Sequence, residues 1–295
     1  DHRDLHSFPT RRSSDLLSVP IGVKGKDDYY LTFKGENAHC VITGTTGSGK
    51  SCFIHSLITS ACLNYSPNEL RLFLIDLKSG VEFQNYAFEQ LPHADFIALQ
   101  SDPQYALHIL SLFKNKIEER GVKFTEKGIT AKNLNEFKEK FPDEIMPRYL
   151  IIIDEYENLF QNYEDRHRAL GLINYVAKEG RSFGLNLVLA SQNPALPLEV
   201  MANFGLKVLM KVLSNLPGSE LLGANIDSSY KAKAELLKPG QAFIPEETVV
   251  SKIQSYFLVE DQHIKYLKSI KNKWDNFEGS KFEQNLIVFS REAPS

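Results

Sequence analysis

Val41-Ile42-Thr43-Gly44-Thr45-Thr46-Gly47-Ser48-Gly49-Lys50-Ser51 is the stretch on which the fold turns. An apolar β-type run, His39 to Ile42, leads into glycine-rich sequence, and a helical pattern follows from Lys50 to about Leu63. Gly44, Gly49, Lys50 and Ser51 fit G-x-x-x-x-G-K-[ST], the phosphate-binding loop. Glycines let the backbone curl so that successive N–H groups point inward at phosphate oxygens. The helix that follows adds the positive end of its dipole. Thr45, Thr46, Gly47, Ser48 and Cys52 complete the segment expected to hold a nucleotide. Lys50 is expected to reach the β- and γ-phosphates, and the Ser51 hydroxyl to ligate Mg²⁺. A chance glycine-rich turn is the alternative, and a strand before with a helix after argues against it.

Further along lie more short apolar runs of the length of buried parallel strands. Arg71–Asp76 is one, with Asp76 and Lys78 at its carboxyl end, where α/β sheets place ligand-facing residues. A simple turn explains that pair equally well. Tyr149–Ile153 is a second, and it ends in Asp154-Glu155. An acid at a strand end paired with a phosphate loop holds Mg²⁺, and a second carboxylate beside it takes a proton from the attacking water. Asp154 is therefore assigned to the metal and Glu155 to the water. Leu185–Ala190 is a third, and Gln192 at its tip is placed either to sense the γ-phosphate or to close a turn.

Between these strands the apolar period becomes helical. Pro103–Gly121 is one helix, whose charges Lys114, Lys116, Glu118, Glu119 and Arg120 read as a solvated face. Asn133–Lys140 and Asp165–Phe183 are others, the latter ended by Gly184. Tyr29–Phe33 is a strand ahead of the core, and Leu206–Leu213 is a further β-type run. Gln241–Pro245 and Val249–Val259 suggest a hairpin, Asp261–Trp274 a basic helix with Ile264, Leu267 and Ile270 inward, and Asn285–Phe289 a last strand. Strands alternating with helices imply an α/β fold, a mainly parallel sheet flanked by helices on both faces.

The chain has 295 residues, 42% hydrophobic and 24% charged, with a formal net charge of −3. That is ordinary globular composition, and bulk charge does not mark a nucleic-acid binder. Cys40, Cys52 and Cys62 have no metal spacing and read as small buried residues of a reducing compartment. The histidines His39, His55, His93, His108, His167 and His263 are scattered, with no pair at ligand spacing. No run of about 18 apolar residues occurs, so membrane attachment is expected only through sequence upstream. Residues 1–16 are polar and without apolar period, unlike a signal peptide. They read as a disordered basic tail or, since Ser7–Leu16 resembles one reading frame of a common sequencing adapter, as a translated artefact.

In combination and order, these motifs resemble the motor domain of the FtsK/SpoIIIE family of ATPases. The resemblance runs from Val19-Pro20-Ile21-Gly22 through HCVITGTTGSGKS (39–51), LIDLKSGVEF (74–83) and Leu91-Pro92-His93. It continues through MPRYLIIIDEYENLF (146–160), GRSFGLNLVLASQNP (180–194), KPGQAFI (238–244) and Tyr256–Val259, covering roughly Val19 to Leu267. It implies a RecA-like fold over residues 17–270 with an extension over 271–295, a homo-hexameric ring with ATP and Mg²⁺ between subunits, and a cytoplasmic motor moving double-stranded DNA without sequence specificity. It carries catalytic roles onto Lys50, Asp154, Glu155 and Gln192, and matches Arg181 to the family arginine of G-R-A-A-G. The chain departs from the family at Lys207 and Asn193, where arginines are usual, and at Pro217-Gly218-Ser219, where D-S-R is usual. Lysine does not copy the bidentate fork of an arginine reaching across a subunit interface. Hydrolysis is therefore expected to be slow, or to use Arg181 or another arginine. Two other functions fit the same residues: a coupling or secretion ATPase, as in type VII secretion or conjugation, and a weakly hydrolysing ATP-binding ring subunit.

Overall fold

In a computed structural model the apolar runs become neighbouring strands of one 11-stranded sheet. The structure describes residues 16–99, 101–126, 131–194, 196–213, 229–246, 249–275 and 287–289. Strands β1 (Leu17–Lys24) and β2 (Asp27–Phe33) come first, then β3 (Cys40–Thr43) and helix α1 (Lys50–Asn64). Next are β4 (Leu70–Asp76), α2 (Gln84–Phe88), β5 (Ala94–Ala98), α3 (Pro103–Glu126), α4 (Leu134–Lys140) and β6 (Arg148–Asp154). Then come α5 (Tyr163–Glu179), β7 (Leu185–Ser191), α6 (Leu198–Met201), β8 (Leu206–Leu209) and α7 (Ser229–Glu235). The hairpin β9 (Gln241–Pro245) and β10 (Val250–Ser255), helix α8 (Glu260–Asp275) and edge strand β11 (Ile287–Phe289) complete the order.

The sheet runs β11-β5-β4-β6-β7-β3-β8-β9-β10-β1-β2. From β11 to β8 every pairing is parallel. From β8 to β2 every pairing is antiparallel. The parallel strands read as unbroken apolar runs because both their faces are covered. Ile42, Leu72, Leu74, Leu150, Ile152 and Val188 point to one side, into a core shared with α1, α2 and α8. Val41, Phe73, Ile75, Ile151, Ile153 and Leu187 point to the other, against α3 and α5. Among the described residues no helix is long and apolar enough to cross a membrane.

The structure changes three expectations in detail. Strand β8 stops at Leu209, because the backbone beyond it anchors the glycine loop: Thr45 N donates to Lys211 O at 2.9 Å. Strand β10 stops at Ser255, where the chain turns to α1 and Tyr256 O accepts from Ser56 Oγ at 3.0 Å. Arg120 does not belong to a solvated face. It is 4% exposed, donates Nη2 to Pro147 O at 2.7 Å and Nη1 to Phe183 O, and lies 4.4 Å from the centre of the Tyr149 ring. It thereby ties α3 to the entrances of β6 and β7. Residues 217–219, and all but Leu16 of residues 1–16, lie outside the described residues.

Candidate active site

Parallel pairing brings the four sequence signals to one edge. Asp76 and Asp154 are register partners at the ends of β4 and β6, and Thr43 and Ser191 are partners at the ends of β3 and β7. The glycine loop, Asp154-Glu155 and Gln192 therefore share the crevice beyond the carboxyl ends of the strands, where open α/β sheets bind ligands.

The loop is held from three sides. Gly44 N donates to Ser191 O at 3.3 Å, Thr45 Oγ1 to Lys211 O at 3.1 Å, and Gly240 N to Ser48 O at 2.8 Å. Gly49 has φ +94°, and a Cβ there would meet Gly240 N at 2.6 Å. Only glycine fits both that rotation and that contact. The first-turn amides of α1 have no intrahelical acceptor, which makes this end ready for an anion. The buried Ser48 Oγ also has no partner among the described residues, an orphan that a phosphate oxygen would satisfy. The loop thus fits a nucleotide phosphate. Ser51 and Asp154 supply the oxygen donors that Mg²⁺ favours. Cys52 faces elsewhere: its Sγ donates to Tyr256 O and accepts from Leu258 N, both at 3.4 Å.

Lys50 Nζ lies 2.5 Å from Asp154 Oδ1 and 3.2 Å from Glu155 Oε1. Burial alone would lower the lysine pKa, but these two carboxylates outweigh it and hold the ammonium charged. Glu155 is a left-handed residue, at φ +52° and ψ +45°, uncommon for a residue with a Cβ. Its Oε1 accepts from Gln192 Nε2 at 2.8 Å and lies 3.7 Å from Lys78 Nζ. Burial pushes its pKa up, but hydrogen bonding from Gln192 and the charge of Lys50 win, so it stays ionised below the ordinary range. Gln192 Oε1 in turn accepts from Thr46 Oγ1 at 3.1 Å, linking the glycine loop to Glu155.

Asp76 does not face the crevice as a ligand group. Its carboxylate accepts from the amides of Lys78 (2.8 Å), Val81 (3.1 Å) and Glu82 (3.3 Å), and from Ser79 Oγ (3.1 Å). It is the organiser of the turn. Arg181 is not brought to the loop either. It sits in the turn before β7, at the amino ends of the strands, beside Glu36, Lys178, Lys207 and Glu246. The seven-residue β7 separates it from the crevice by about 20 Å.

Sequence reading missed Glu157. Burial, then a hydrogen bond with Glu155, raise its carboxyl pKa to about 7. Gln192 N donates to its Oε1 at 3.3 Å. Between about pH 4.5 and 7 the folded state keeps a proton that the unfolded chain has lost, so this group's contribution to stability falls as pH rises through that window. We expect thermal melts from pH 5 to 8 to show a smaller decline in Glu157→Gln than in the wild type. Parallel curves would contradict the assignment.

The sequence profile of the FtsK/SpoIIIE family matches residues 2–196. The type VII secretion system protein EssC of Staphylococcus aureus is 32% identical over 235 residues, which is 77% of this chain and 15% of that protein. The chain thus spans about 15% of the length of this curated relative. The cytoplasmic domain of the Thermomonospora curvata type VII secretion ATPase EccC superposes with a TM-score of 0.72 at 19% identity, over 91% of this chain and 33% of that one. The pCW3 conjugation coupling protein TcpA, a monomer with ATPγS, gives 0.67 at 21% identity, over 90% and 72%. These likenesses to solved structures establish a common fold.

Proposed function

The chain belongs to the FtsK/SpoIIIE family of P-loop ATPases, and from that premise we propose that it is a motor domain of a type VII-like secretion ATPase, using ATP to move a protein substrate. The observation that carries the reading is the 32% identity to EssC across 77% of the chain. It displaces double-stranded DNA, the substrate that the family resemblance implied, because the relatives matched at this level are secretion proteins. The net charge of −3 gives DNA no counterweight.

In this reading residues 17–270 are the motor. Gly44–Ser51 cradle the triphosphate, and Lys50 leaves Asp154 and Glu155 for the β- and γ-phosphates. Ser51 and Asp154 would hold Mg²⁺, which would neutralise charge on the phosphate oxygens. Glu155 orients the attacking water and takes its proton, while Gln192 fixes Glu155 and reports the γ-phosphate back to Thr46. Arg181, remote from its own loop, serves an adjoining protomer of a ring.

The test is ATP turnover of the full chain with a peptide from a secreted substrate, or with linear double-stranded DNA, at two salt concentrations. Stimulation by the peptide alone supports the proposal. Stimulation by DNA that collapses at the higher salt would overturn it in favour of a DNA motor.

A further inference from the structure

Glu82 lies in the LIDLKSGVEF run (74–83), outside the glycine loop and the Asp154-Glu155 pair, yet the fold delivers it to the phosphate site. Asp76 at the end of β4 gathers the amides of residues 78, 81 and 82, and Gly80, at φ +69°, closes the turn. The Glu82 side chain then crosses to the first turns of α1. Its Oε1 is 2.9 Å from His55 Nε2, and the carboxylate lies close enough to the Ser51 hydroxyl to interact with it. Ser51 and His55 are four residues apart on α1 and so share one helix face. A carboxylate only accepts, so His55 Nε2 donates to it, and the Ser51 hydroxyl can face it only as a donor.

The clamp on Glu82 is itself braced. His55 Nδ1 is 2.8 Å from Tyr86 Oη, and Tyr86 is fully buried. The His263 ring on α8 packs 4.8 Å from His55 and 5.1 Å from Tyr86, centre to centre. Helix α8 is fixed in turn by Trp274 Nε1, which donates to Cys62 O at 2.8 Å. A surface acid would be free to swing; this one is built in.

We propose that Glu82 is a positioning residue for the phosphate-loop serine: it takes the Ser51 hydroxyl hydrogen and so leaves the oxygen lone pairs directed at the Mg²⁺ that accompanies ATP. The proposal rests on the nucleotide reading of the loop and adds a residue to it. Groups that orient a metal ligand from behind change metal affinity by about 10- to 100-fold when removed.

The test is equilibrium binding of ATPγS to the full chain with Mg²⁺ and with EDTA, which needs no turnover. The wild type gains affinity on adding Mg²⁺. In Glu82→Gln that gain falls about tenfold or more, while binding in EDTA stays within about twofold, the margin allowed to an independent site. In a Ser51→Ala background, Glu82→Gln changes the gain no further, because the effect passes through that hydroxyl. Two results overturn the proposal: Glu82→Gln keeping the wild-type gain, or the two substitutions lowering it independently. If Glu82→Gln loses binding in EDTA and its melting transition, His55→Gln replaces it. That variant removes the brace and keeps the carboxylate, and it is expected to lower the same gain by a smaller factor; an unchanged gain overturns the proposal. A wild type that gains nothing from Mg²⁺ refutes the nucleotide reading itself, an outcome distinct from the others.

Discussion

Glu155→Gln is expected to bind ATP and Mg²⁺ as the wild type does while its turnover falls about 100-fold or more. The substitution keeps the size of the side chain and removes its ability to take a proton. In the native site that ability is prepared. Glu155 is held ionised by Gln192 and Lys50, at the end of β6, beside the mouth of the glycine loop. The backbone holds it in a left-handed conformation that aims it away from the strand direction. Binding survives because the loop amides, Lys50 and Ser51 are untouched, and Lys50 keeps Asp154 as its partner in the free protein. Phosphate release measured beside ATPγS binding checks both halves. Turnover within a few-fold of the wild type would remove Glu155 from the water's side. Tight ATP binding with no turnover in the wild type itself would favour the ring subunit that holds ATP without spending it.

Lys50→Met is expected to fail twice. It loses a charge-assisted contact to phosphate worth about 2 kcal/mol, roughly a thirtyfold loss of ATP affinity. It also destabilises the free protein by about 3 kcal/mol, because Asp154 and Glu155 are 4% and 6% exposed and lose their ammonium. The second effect separates a parked lysine from a merely nearby one. Adding Asp154→Asn to Lys50→Met removes the stranded charge and should return most of the lost stability. Urea unfolding without nucleotide measures this. A double variant as unstable as Lys50→Met alone would show that the cost lies elsewhere.

The strands that build the crevice were legible because burial on both faces leaves an apolar run that needs no tertiary knowledge. Arg71–Asp76, Tyr149–Ile153 and Leu185–Ala190 all appear as β4, β6 and β7. Strand β5, Ala94–Ala98, escaped because five residues directly after Leu91-Pro92-His93 leave no period to count. The glycine loop and the Asp154-Glu155 pair announce themselves by spacing. Glu82, His55 and His263 do not, since His263 stands far along the chain from the other two and meets them only through the packing of α8 on α1. Arg120 looked solvated because its neighbours Glu118 and Glu119 are, and only the position of Tyr149 turns it inward. Glu157 carries no signal of its own. Its character comes from sharing a buried corner with Glu155 and Gln192. In α8 the inward set is His263, Leu267, Ile270 and Trp274, so the helix turns its histidine rather than Ile264 to the core.

The most direct measurement is a crystal structure of the Glu155→Gln chain with ATP and Mg²⁺. The phosphates are expected within the curl of Gly44–Ser51, with Lys50 Nζ moved from Asp154 to the γ-phosphate and Mg²⁺ held by Ser51 and Asp154. Nucleotide bound outside that curl, or Lys50 still paired with Asp154 beside a bound triphosphate, would contradict that arrangement.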